Sequence, residues 1–178
     1  MFSECYSLTS VPLFDLSSCT DAYYMFSGCC SLTSVPLFDL SSCVNSNHML
    51  SGCCSLTHLA AIDFSNCSES YYLFMQCYSL TRIQCTFGVN SNLLIAMCNL
   101  SAEALNEVYT NLPTVVDKVI DIHGNPGSLT SNTSIATAKG LTASTCRVTS
   151  PGEHHQGILV DTVGTGGTGG MHVFLAVF

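Results

Sequence analysis

Twelve cysteines in 178 residues could hold a soft metal, close disulfides or supply a nucleophile. Their spacing bears on which. Cys5, Cys29, Cys53 and Cys77 are evenly spaced, and Cys19, Cys43 and Cys67 keep the same interval, as do Cys30 and Cys54. No Cys-x-x-Cys spacing occurs, so zinc is not expected. No cysteine stands in a recognisable motif with histidine, so none reads as a nucleophile. Columns this regular read as small hydrophobes stacked in an interior. A disulfide between neighbouring copies stays open. Adjacent segments can bring α-carbons within bridging range, although parallel Cβ vectors oppose the bond.

The other chemistry-bearing residues divide in the same way. Asp15, Asp39 and Asp63 form an acidic column that reads as turn-forming aspartates bonding nearby backbone amides, with bridging calcium the weaker alternative. His154, His155 and His172 read as surface or interface histidines, and would ligate a metal only if a symmetry axis gathered several copies. No phosphate loop, Gly-x-Ser-x-Gly or His-Glu-x-x-His is present, so neither an enzyme nor a cofactor is expected. The segments 20–24 (TDAYY), 44–48 (VNSNH) and 68–72 (SESYY) vary between copies that are otherwise nearly identical. Tyr23, Tyr24, Asn45, Asn47, His48, Glu69, Tyr71 and Tyr72 would sit side by side on one flank. These are residue types of adaptable binding surfaces, and the flank is the candidate ligand site. The plainer reading is a solvated flank with one Tyr of each pair tucked inward.

A repeat must position these groups. Residues 1–24 and 25–48 match at 17 of 24 positions without a gap, 49–72 keeps the register and 73–96 follows with decay, Met97 and Cys98 opening a fifth unit. A fixed period in this range signals stacked repeats. The spacing Leu32, Val35, Leu37 is that of a leucine-rich-repeat strand. The expected fold is a repeat solenoid, a leucine-rich-repeat-type stack of 24-residue β-rich coils over 1–96. Units such as MFSGCCSLTSVPLFDLSSC resemble the BspA-like leucine-rich repeats of bacterial surface proteins and of phage and prophage tail-fibre-like proteins. The resemblance extends to about residue 141. It implies adhesion and partner binding.

Residues 97–145 read as a C-terminal cap of helix, strand and short helix: Ser101 caps a helix with Leu105, Val108 and Leu112 on one face, Pro113 ends it, 118–123 alternates like a strand and 133–139 can form a short helix stopped by Gly140. Residues 146–178 read as a β-hairpin around a glycine-rich loop. Its apolar strand, with Val173, Phe174, Leu175, Val177 and Phe178, would be an exposed edge and is expected to dock on another chain. Phe2, Leu8 and Val11, on a first unit with no cap before it, are the other expected assembly surface.

Composition narrows the partners. Only 9% of residues are charged, with four Lys and Arg against twelve Asp and Glu, a net charge of −8. Nucleic acid and anionic lipid are excluded as partners, and no apolar run is long enough for membrane insertion. No secretory signal is visible at the N-terminus. The expected function is a non-enzymatic binding or adhesion module outside a cell. A phage particle, released by lysis, is favoured over a bacterial surface. It would contact a host-surface protein or glycan and other virion or surface subunits, as a homo-oligomer or part of a larger assembly. The rival is a purely structural virion or filament component.

Overall fold

The computed structural model describes residues 1–88 and 92–145, together with the backbone of 159–160 and 173–174. The expected leucine-rich stack is not what it contains. Among the described residues the strands are short. β1 (His58–Leu59) pairs in parallel with β3 (Arg82–Ile83), and β2 (Asp63–Phe64) with β4 (Thr86–Phe87). β5 (Leu93–Leu94), β6 (Lys118–Asp121) and β7 (Leu141–Ser144) form a three-stranded parallel sheet. β8 (Leu159–Val160) and β9 (Val173–Phe174) pair antiparallel. Among the described residues no continuous sheet crosses the copies, and they close no leucine-rich solenoid.

The reason is local. Pro12 and Pro36 sit where a strand needs a backbone donor, and proline has none. Strands form just before this position only in the third and fourth copies, where Ala60 and Gln84 replace the prolines. The last leucine of the expected inward triplet also points out: Leu13 and Leu37 are 68% and 60% exposed.

Turns do most of the work of linking the copies. Phe2 N–H donates to Met25 O at 2.8 Å, Phe26 to Met49 at 2.9 Å and Leu50 to Leu73 at 3.1 Å. Two residues on, Glu4 donates to Ser27, Gly28 to Ser51, Gly52 to Met75, Gln76 to Ala96 and Met97 to His123. Glu4, Gly28, Gly52, Gln76, Met97 and Gly124 all take left-handed backbone, φ 57° to 75°. Met97 therefore occupies the fourth position of a turn, not the first position of a new unit. Leu94, Asp121 and Ser144 take the place expected of Met97, since Ile95 N–H donates to Asp121 O and Ile122 N–H to Ser144 O. The register also slips. His58 pairs with Arg82 at the full repeat interval, whereas Asp63 pairs with Thr86, one position short of it. The fourth copy has therefore lost one residue between Ile83 and Thr86.

The thiol column lies inside these turns. Cys29 donates its S–H to Phe2 O at 3.0 Å, Cys53 to Phe26 O at 3.3 Å, Cys77 to Leu50 O at 3.2 Å and Cys98 to Phe74 O at 3.1 Å. Asn125 ends the series with the same bond made by an amide, Nδ2 to Ile95 O at 2.8 Å. Burial pushes the Cys53 thiol well up and the Cys85 thiol to about 12, so both stay protonated donors. Phe26, Phe64, Phe74, Leu32, Leu56 and Leu80 are fully buried beside them, each contributing about 1.5–3 kcal/mol over exposure.

Helix α1 (Ala102–Asn111) begins where Ser101 Oγ accepts Ala104 N–H at 3.2 Å. It buries Leu105, Val108 and Tyr109. Lys139 Nζ donates to Thr110 O and Leu112 O at its other end, a cation satisfying C-terminal carbonyls. Helix α2 (Thr133–Ala138) starts at Asn132, whose Oδ1 accepts Ser134 N–H. Gly140 follows at φ +76°. Among the described residues no helix is long and apolar enough to cross a membrane.

Candidate functional site

The flank is positioned by the end of each repeat. Asp21, Asn45 and Glu69 are bridged in parallel, backbone to backbone. Ala22 N–H donates to Asn45 O at 2.8 Å and Ser46 N–H to Glu69 O at 2.8 Å. Beneath them, Ser46 Oγ and Ser70 Oγ meet at 3.0 Å in a buried pair. The turn in the first two copies is held by a side chain: Asp21 Oδ1 accepts Tyr23 N–H at 2.9 Å, and Asn45 Oδ1 accepts Asn47 N–H at 3.0 Å. Asn47 then reaches across to the third copy. Its Oδ1 accepts Tyr71 N–H at 2.7 Å, and its Nδ2 donates to Glu69 Oε2 at 3.2 Å.

The last residue of each of the first three copies is aromatic and left-handed. Tyr24, His48 and Tyr72 have φ of 53°, 56° and 55°. Their rings stack in series, Tyr24 on His48 at 4.5 Å and 6°, His48 on Tyr72 at 4.8 Å and 19°. Tyr23 meets Tyr24 edge-on at 4.4 Å and 87°. A left-handed non-glycine residue costs about 1–2 kcal/mol, which the ring stacking offsets together with backbone bonds to the next copy, Tyr24 N–H to Asn47 O at 3.1 Å and His48 N–H to Tyr71 O at 2.9 Å.

The eight candidate residues are thus brought together but play different parts. Tyr72 is buried, while Tyr24, His48, Asn45, Asn47 and Tyr71 are half-buried. Tyr23 and Glu69 are exposed. The stack is the base of the flank. Its exposed groups are Tyr23 and Glu69, with Tyr71 and the hydrogen-bonded amide of Asn47 half-buried beside them. Asp21 belongs with them and was missed, although it stands in the same column as Asn45 and Glu69. The groups are acceptor-rich and include no cation, so they suit hydroxyl or other neutral donors better than anions.

Other expected sites fall as follows. Asp15, Asp39 and Asp63 each accept a backbone N–H from the serine two residues on, at 2.9, 3.0 and 2.9 Å. Side-chain bonds from Ser17, Ser41 and Thr86 respectively, followed by those backbone bonds, hold their carboxyls below the ordinary value. Among the described residues no group of three or more His, Cys, Asp or Glu is placed to hold a metal. Val11 is buried, Leu8 half-buried and Phe2 half-buried, stacked on Phe26 at 5.5 Å. His154, His155, His172, Leu175, Val177 and Phe178 lie outside the described residues, as do the side chains of Val173 and Phe174. A shallow hollow between Phe87, Leu93, Leu112 and Leu141 is lined by apolar side chains and offers no converging ionisable groups.

Comparisons with protein-family models, curated proteins and solved structures found no match.

Proposed function

We propose that the chain is a non-enzymatic binding module that recognises a hydroxyl-rich glycan, or a protein surface of similar chemistry, on a host cell. It would act on the exterior of a phage particle or bacterial cell. The observation that carries the reading is the three-copy flank. An exposed Tyr23 ring, the Asn47 amide and the Asp21 and Glu69 carboxylates are aligned over a stacked Tyr24–His48–Tyr72 base. Aromatic faces with a few oriented polar groups suit a neutral sugar, and pre-ordering by Asn47 lowers the entropy lost on binding. The net charge of −8 disfavours polyanionic partners. The resemblance of the repeats to BspA-like surface proteins supports the same reading.

The test is retention of the labelled chain on intact bacteria and on purified surface polysaccharides. The triple variant Tyr23→Ala, Glu69→Gln, Tyr71→Ala is expected to lose binding at least tenfold with an unchanged circular dichroism spectrum. Equal retention of the variant removes the flank from the account.

A second reading has its own observation. Leu13 and Leu37 lie in one repeat column and are both exposed. A structural subunit packing on a neighbour would cover them, and the chain would then associate in solution through that ridge.

A further inference from the structure

Cys30 and Cys54 occupy one repeat column in consecutive copies, with Tyr6 and Tyr78 in that column on either side. Their sulfurs lie 3.4 Å apart, Cys54 donating its S–H to Cys30. Both are half-buried, so a small molecule can reach them. The turns that carry them are near-copies: Gly28 and Gly52 have φ of 75° and 73°. A Cβ built on Gly52 would stand 3.4 Å from the Gly28 α-carbon. The backbones at this point are therefore in close approach.

We propose that Cys30 and Cys54 are a disulfide-forming pair, a clamp that oxidation closes between the second and third copies. Cys30 and Cys54 also reach Gly52 O, at 3.5 and 3.3 Å, and what sets the other neighbouring thiols apart is burial. Cys29, Cys53 and Cys77 are buried, and each donates to a carbonyl of the preceding copy. Cys43 donates to Asn45 O and meets the Cys67 thiol, but both are buried. Only the column of Cys30 and Cys54, among the described residues, sets two adjacent thiols in contact with each other within reach of solvent.

The oxidant is a low-molecular-weight disulfide. Cys30, the sulfur that accepts the Cys54 hydrogen, loses its proton and attacks one sulfur of the small disulfide. That S–S bond breaks, and the leaving thiolate takes a proton. Cys54 then gives up its own proton and attacks the Cys30 sulfur of the mixed disulfide, releasing the second small thiol. The two protein thiols are oxidised, and one small disulfide is reduced to two thiols. Burial, followed by the contact with Cys30, holds the Cys54 thiol up at about 11, so the second step quickens as pH rises toward that value. The closed bond ties residues 30 and 54 together and restricts the unfolded chain. The proposal is independent of what the flank binds.

The full chain is incubated with oxidised glutathione, remaining thiols are alkylated, and the products are mapped by mass spectrometry. Wild type is expected to carry no glutathione on Cys30 or Cys54, whatever the exposed Cys5 takes up, and one cross-link joining the two. Cys54→Ser should retain one glutathione on Cys30, and Cys30→Ser should form no cross-link. Oxidised wild type should unfold at a higher temperature than reduced wild type, and Cys30→Ser should lose that difference. Stable glutathione on both cysteines of wild type, or a cross-link carried by another pair, overturns the proposal.

Discussion

At the scale of single residues, the chemistry-bearing side chains serve mainly to satisfy backbone groups. Thiols donate to carbonyls, aspartates accept from amides two residues on, and Asn125 takes over the bond of Cys98 in the next turn. Two expectations follow. His48 is left-handed, held by its ring stack and by its N–H bond to Tyr71 O. His48→Ala loses the stacking and keeps the strain, whereas His48→Gly loses the stacking and the strain together. Chemical denaturation should find the glycine variant about 1 kcal/mol more stable than the alanine variant. Equal stabilities would mean that the backbone there is unstrained. The second concerns Asp63, whose carboxyl is held down first by the Thr86 hydroxyl at 2.5 Å and then by Ser65. A lowered carboxyl contributes stability that is complete above its unfolded value, about 3.9, and lost as pH falls through the folded value. Wild type should therefore exceed Asp63→Asn at neutral pH, and the gap should close below about pH 4. A gap that persists in acid contradicts the assignment.

At the scale of elements, the helix α1 was legible because its signals are local: Ser101 before it, an apolar face at helical spacing and Pro113 after it. So was the end of α2, where Gly140 supplies a positive φ. A Cβ there would collide with Val115 O. Gly140→Ala should cost about 2 kcal/mol or more in urea unfolding, from strain and collision together. An unchanged unfolding midpoint would refute that geometry. The strands were the part misread. The Leu-x-x-Val-x-Leu spacing matched a strand motif, but Pro12 and Pro36 remove the donors such a strand needs, and the apolar pattern says nothing of donors. The column of left-handed turns was half visible. Gly28 and Gly52 announce it, whereas Glu4, Gln76 and Met97 in the same column do not, because ordinary residues are held there by the hydrogen bonds between copies. The register slip in the fourth copy was hidden for a related reason. The loss of one residue before Thr86, and of two more before Leu94, leaves the columns before them intact and only displaces those after.

At the scale of the whole molecule, the repeat explains the composition. A unit rich in Ser, Leu and Cys, copied several times, produces twelve cysteines and 9% charged residues together. What varies between copies is gathered on one flank, where copying would otherwise have produced uniformity. The flank residues were legible in the sequence by that variation alone. Their division into a stacked base and a reachable rim was not, because it depends on which ring of each pair turns inward. The rim is proposed to bind a surface glycan. Amide chemical-shift mapping of the isotope-labelled chain against a host-surface polysaccharide that retains it tests this most directly. The largest shifts are predicted within 20–24, 44–48 and 68–72. Shifts centred on the Leu13 and Leu37 ridge, or on the turns around Cys30 and Cys54, would contradict it.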